Sequence, residues 1–157
     1  VVADMIAQAT GADLFSIRTV EQYPDTYDAT IDQGQQEQSD GARPELATHL
    51  ENLDSYDIIF LGYPNWNADL PMPLYTLLEQ TDLSGKTIVP FTTHGGGGFS
   101  RTIQTIQELQ PGDQRRTFHL QKQRSPGRRR CGKLGVGTGL DRLIAPNRSK
   151  RNGGKTR

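Results

Sequence analysis

The sequence predicts an α/β fold, a parallel sheet with helices on both faces, on three observations. Asp57 to Gly62 (DIIFLG) and Lys86 to Phe91 (KTIVPF) are near-continuous apolar runs, the pattern of strands buried on both faces. Each run empties into a glycine- or proline-rich loop, YPNWNADLPMP after the first and TTHGGGGF after the second. Beyond each loop, apolar residues recur at helical spacing. In open α/β sheets ligands sit beyond the carboxyl ends of the strands, so these two loops are the candidate site.

The chain opens with Val2, Met5, Ile6 and Ala9 at the spacing of one helical face, and Gly11 stands where a helix stops. It begins inside that helix and without Met, which predicts, for an α/β protein, that an amino-terminal strand is missing. Ala12 to Arg18 (ADLFSIR) reads as a short strand. From Val20 to Pro44 the chain is polar and contributes no core, with a turn at Tyr23-Pro24 and an exposed helix over Tyr27 to Gln38 capped by Asp28. Leu46, Leu50 and Leu53 predict a short helix. After the first apolar strand, Pro71 suits a first helical turn, and Leu74, Leu77 and Leu78 form a core-facing stripe. Asp82-Leu83-Ser84-Gly85 is a turn. After the second strand, Ser100 is the expected N-cap of a helix whose inner face is Ile103, Ile106 and Leu109, halted by Pro111-Gly112.

The 157 residues carry no net charge, yet the sign reverses along the chain. Residues 1–114 hold four Lys/Arg against seventeen Asp/Glu, and residues 115–157 hold fourteen basic residues against Asp141 alone. That reversal predicts a folded unit over 1–114 and a basic, low-complexity tail over 115–157. TFHL (117–120) reads as the start of a strand, but RSPGRRRCGKLGVGTGL and RSKRNGGKTR show neither helical nor strand period, so the tail is expected to be disordered or the product of a shifted reading frame. The lone Cys131 forms no internal disulfide, which fits a cytoplasmic protein. No apolar run reaches membrane-spanning length, and no membrane partner is expected. Neither metal-ligand spacing nor a nucleophile–base arrangement is present in the sequence.

At Gly62-Tyr63-Pro64-Asn65-Trp66 and Thr93-His94-Gly95-Gly96-Gly97-Gly98-Phe99, with DLSGKTIVPF between them, the sequence resembles the flavodoxin-like family, in its branch of short FMN proteins. The resemblance spans about residues 1–112. It implies a parallel sheet flanked by helices, with FMN held noncovalently across the crevice where strand order reverses. It also implies a domain incomplete at both ends: the family's first strand and phosphate-gripping loop would precede Val1, and its last strand–helix unit would stand where the basic tail begins. By the same resemblance, this chain alone is expected to hold FMN weakly and to distinguish it poorly from riboflavin.

The resemblance assigns cofactor binding to Pro64, Asn65, Trp66 and Asn67 of the first loop and to Thr92, Thr93, His94, Gly95, Gly96, Gly97 and Phe99 of the second. Trp66 offers a flat face for the flavin ring, or else covers the end of the sheet. Asn65 and Asn67 bring amides and main-chain donors. The glycines let the backbone approach a ligand closely, Phe99 anchors their loop to the core, and His94 is a donor to a flavin oxygen or a proton source. Asp57 and Asp69 read as a strand start and a capping residue. The function implied is FMN-dependent electron transfer, as a carrier or as an NAD(P)H-dependent quinone reductase, with NAD(P)H, quinone or a redox protein as partners. Arg128-Arg129-Arg130, with Arg124 and Lys133, supplies the alternative of a nucleic-acid-binding protein acting through its tail. A nonfunctional fragment is the third reading.

Overall fold

The computed structural model describes residues 2–111 throughout and the backbone of residues 141–145. In chain order the elements are α1 (Val2–Thr10), β1 (Asp13–Ile17), α2 (Tyr27–Asp40), a single 3₁₀ turn at Leu53–Ser55, β2 (Ile58–Pro64), α3 (Met72–Gln80), β3 (Thr87–Thr93), α4 (Thr102–Leu109) and β4 (Asp141–Ala145). The sheet order is β1-β4-β2-β3.

β2 and β3 are the two apolar runs, and they pair in parallel over their full length, from Ile58 beside Thr87 to Pro64 beside Thr93. Side chains alternate across a strand, so Ile59, Leu61 and Tyr63 share one face, and all three are buried. They join Leu70, Leu74, Leu77 and Leu78 of α3 and its lead-in, with Ile106 of α4, in the core. Thr87 donates its N–H to Asp57 and Thr93 accepts at its carbonyl from Asn65, so alternate residues of β3 from Thr87 to Thr93 face β2. Ile88, Pro90 and Thr92 therefore turn their backbone groups to the outer side, and the N–H that Pro90 lacks is one β2 does not need.

Asp141–Ala145 is a strand, although the tail's sequence predicts no regular structure there. β4 lies between β1 and β2 and runs antiparallel to both: Leu143 pairs with Phe15 and Leu61, and Ile144 with Leu14 and Phe60. The sheet is thus mixed: β1, β2 and β3 run in one direction and β4 against them. Facing backbone groups of β1 and β2 require partners, and Arg142-Leu143-Ile144, which pairs with both strands, provides them. The expected strand start at 117–120, and the disorder or frame shift expected over the rest of 115–157, lie outside the described residues.

Five local expectations are corrected. Helix α1 forms where expected, but Val2 and Met5 are exposed and Ala3 is its buried residue, because the neighbouring sheet selects the inner face. The cap of α2 is Thr26, with Asp28 inside the first turn. The polar stretch does reach the core, through buried Tyr23. No helix spans Leu46 to Leu53; Leu46 instead bridges Thr19 in an antiparallel contact, and only Leu53–Ser55 coils. Finally, α4 starts at Thr102 behind Arg101, and Ser100 sits in a left-handed turn at φ 47°. The helix ends before Pro111 as expected, where Gln110 fills a structural role: its amide donates to the carbonyls of Leu78 and Thr81 at the end of α3, and its carbonyl accepts from Leu83 N–H.

Candidate functional site

The parallel pairing of β2 and β3 continues one residue past β2, where Asn65 N–H donates to Thr93 O at 3.0 Å. Both motif loops therefore leave the sheet at the same edge and side by side. The first closes at once into a tight turn: Trp66 N–H donates to Asp69 O at 3.1 Å and Asp69 N–H to Trp66 O at 2.9 Å. Its central residues, Asn67 and Ala68, have φ of 52° and 64°, the mirror-image turn that matches strand twist. Asparagine tolerates that region; alanine is strained in it.

The turn aims Trp66 back across the end of the sheet onto α2. A Cβ at Gly34 would stand 3.0 Å from Trp66 Cε3, so the absent side chain is what lets the indole settle on the helix. Tyr23 meets the indole edge-on at 5.5 Å, and Asn67 Nδ2 donates to Gln38 Oε1 at 2.8 Å. Trp66 is half-buried in this position. Beside Tyr23, Thr19, Gln33, Pro44, Glu37 and Glu45 line a cavity of about 320 Å³ in which no motif residue takes part.

The second loop is exposed from Thr93 to Gly97 and is held by side chains rather than by its own ladder. Asn65 Nδ2 donates to Gly98 O at 2.8 Å and to Ser100 Oγ at 2.9 Å, Ser100 Oγ donates to Gly97 O at 3.1 Å, and Gly96 N–H donates to His94 Nδ1 at 3.1 Å. Both Asn65 donors are thus spent within the protein, while its buried Oδ1 has no partner. Thr92 Oγ1 donates across the strands to Tyr63 O at 2.8 Å. Phe99 packs against the core, and its carbonyl accepts from Thr102 N–H and Oγ1, which fixes the loop's far end as expected. Nothing lies within 4 Å of a Cβ placed at Gly95 or Gly96, so open room flanks that backbone.

Beneath the loops lies a polar layer that the sequence reading missed. Asp69 is buried and is not a helix cap: its Oδ1 accepts from Leu70 N–H and Thr105 Oγ1, each at 2.8 Å, and its Oδ2 from Tyr75 OH at 3.1 Å, with Arg101 Nε 3.9 Å away. Arg101 N–H also donates to Ala68 O. Tyr63 OH donates to Thr102 Oγ1 at 2.9 Å, and burial pushes the Tyr63 phenol up to about 12. These bonds tie the first loop to the start of α4, so the two loops are set by one framework. The available signal was Thr102 and Thr105 standing on the same helical face as Ile106, where polar residues need buried partners.

A flavodoxin family, described as Flavodoxin, matches residues 1–125. The chain belongs to the flavodoxin family. The fold is similar to those of solved structures. A protein from Bacteroides eggerthii assigned as a flavoprotein is 29% identical, with a TM-score of 0.62 over 69% of this chain and 70% of its own. One from Bacteroides uniformis, likewise assigned, has the same identity and TM-score over 69% of this chain and 72% of its own. A flavoprotein from Lactobacillus acidophilus in complex with FMN is 18% identical, with a TM-score of 0.58 over 69% of this chain and 75% of its own, a likeness of fold. No curated protein matches. No helix among the described residues of this flavodoxin-family chain is long and apolar enough to cross a membrane.

Proposed function

We propose that this chain is an FMN-binding electron-transfer flavoprotein, working as a carrier or as an NAD(P)H-dependent quinone reductase. The observation that carries the reading is the pair of loops leaving the carboxyl ends of adjacent parallel strands, joined by the Asn65–Thr93 and Asn65–Gly98 hydrogen bonds. Ligands of open α/β sheets sit at that edge. The residues present fit a flavin: Gly95 and Gly96 leave room for close approach, and their loop is exposed. When bound, FMN supplies the electron chemistry, and the protein supplies position and hydrogen bonds.

Within this reading, Pro64, Asn65, Trp66 and Asn67 wall one side of the crevice, and Thr92, Thr93, His94, Gly95, Gly96 and Gly97 the other, with Phe99 as anchor. Asn65 and Asn67 act through main-chain groups and by bracing, since their amides already donate to Gly98, Ser100 and Gln38. Titrating the chain with FMN tests the reading. Quenched flavin fluorescence and a shifted visible spectrum are expected at one-to-one stoichiometry; an unchanged spectrum at millimolar flavin overturns it. NAD(P)H consumption with a quinone acceptor then separates a reductase from a carrier, which leaves NAD(P)H untouched.

A further inference from the structure

We propose that His94 is a dedicated hydrogen-bond donor to a carbonyl-type oxygen of the ligand, held in that role by the backbone of its own loop; the inference rests on the flavin reading above. A main-chain N–H can only donate. Gly96 N–H lies 3.1 Å from His94 Nδ1, so Nδ1 is the acceptor and carries no hydrogen. The single ring hydrogen of the neutral imidazole is then on Nε2. That tautomer donates through Nε2 and cannot accept there.

The arrangement depends on glycine. Gly96 has φ of 143°, a conformation that L side chains rarely adopt, and this twist is what turns its N–H back toward residue 94. Asn65, through Gly98 O and Ser100 Oγ, and Ser100, through Gly97 O, hold the loop on the other side of that twist. An otherwise flexible glycine run is thereby organised around one side chain. The exposed imidazole meets a ligand with a donor of fixed sign, which favours an oxygen acceptor and disfavours an N–H at that point.

Two measurements on the full chain test this. Imidazole nitrogen NMR at pH 8, with the His94 signals identified by their loss in His94→Asn, is expected to show a bare Nδ1 and a protonated Nε2 before any flavin is added. The opposite tautomer, or an even mixture, overturns the proposal. Flavin titrations then compare variants. His94→Asn places an amide oxygen near the Nδ1 position, keeping an acceptor for Gly96, but has no Nε2 donor; FMN and riboflavin are both expected to bind about tenfold more weakly, the loss of one hydrogen bond. His94→Gln restores a donor at the Nε2 distance and is expected to recover part of that loss. Wild-type affinity in His94→Asn overturns the donor role and leaves the flavin reading intact, whereas a wild-type chain that binds neither flavin overturns both.

Discussion

Gly62 of β2 and Phe91 of β3 are register partners that share one space: a Cβ at Gly62 would stand 2.1 Å from Phe91 Cζ. The phenyl ring lies over the bare backbone of the neighbouring strand. Gly62→Ala must push that ring aside, and overpacking of this kind costs about 2 kcal/mol. Urea unfolding is expected to show that loss in the wild-type background and most of it gone in Phe91→Ala, where the ring is absent. Equal losses in both backgrounds would mean that the strain lies elsewhere.

Ala68 gives a prediction of opposite sign. At φ 64° it occupies the second central position of the Trp66–Asp69 turn, where a Cβ is unfavourable by roughly 1–2 kcal/mol. Ala68→Gly relieves that strain and adds some freedom to the unfolded chain, so a net gain of about 0.5–1 kcal/mol is expected. A higher urea midpoint with an unchanged denaturant slope is the supporting result.

Buried Asp69 receives three hydrogen bonds, and its removal leaves Thr105 and Tyr75 without their acceptor. Asp69→Ala is expected to lower stability by about 3 kcal/mol, near the upper range for stranding buried donors. Asp69→Asn retains one acceptor oxygen and should lose less. Because the same carboxylate ties the first loop to α4, amide exchange in residues 66–70 is expected to accelerate in Asp69→Ala beyond what the global change accounts for.

Alkaline stability should register Tyr63. Its phenol is raised from 10.0 to about 12 by burial, so the folded state keeps the proton that the unfolded state releases. The stabilisation is present in full below pH 10 and is lost as pH rises from there toward 12, amounting to roughly 2–3 kcal/mol across that window. Tyr63→Phe is expected to show a shallower fall in stability over that range than the wild type, measured by chemical unfolding at stepped pH. Matching slopes would assign the alkaline loss to other groups.

How much the sequence disclosed depends on the range of the forces involved. The apolar runs of β2 and β3 and the Leu74, Leu77, Leu78 stripe are local patterns, and they appear as read. So do the meeting of the two motif loops, which follows from adjacent parallel strands, and Phe99 as anchor. What escaped was set across the fold. The inner face of α1 depends on the sheet beside it, and Asp69 looks like a cap until Thr105, 36 residues away, is seen to donate to it. Leu46 has apolar neighbours at helical spacing but finds its partner in Thr19. The backbone pairing of Asp141–Ala145 with β1 and β2 has only a faint local signature, since Asp141 and Arg142 leave just three apolar residues where a central strand normally carries a longer run.

The placement of Pro90 bears on what β3 can accept on the flank turned away from β2. β3 pairs with β2 along one flank, and a strand joining its other flank would meet the backbone groups that Ile88, Pro90 and Thr92 turn outward. A donor is missing at the midpoint of that flank, between Ile88 and Thr92, because proline falls on the outward phase of the strand. An intruding strand would leave one of its own carbonyls unanswered there and would meet a rigid ring beside it. The same residue that is harmless to the parallel pairing with β2 thus makes the opposite flank of β3 a poorer template for a further strand.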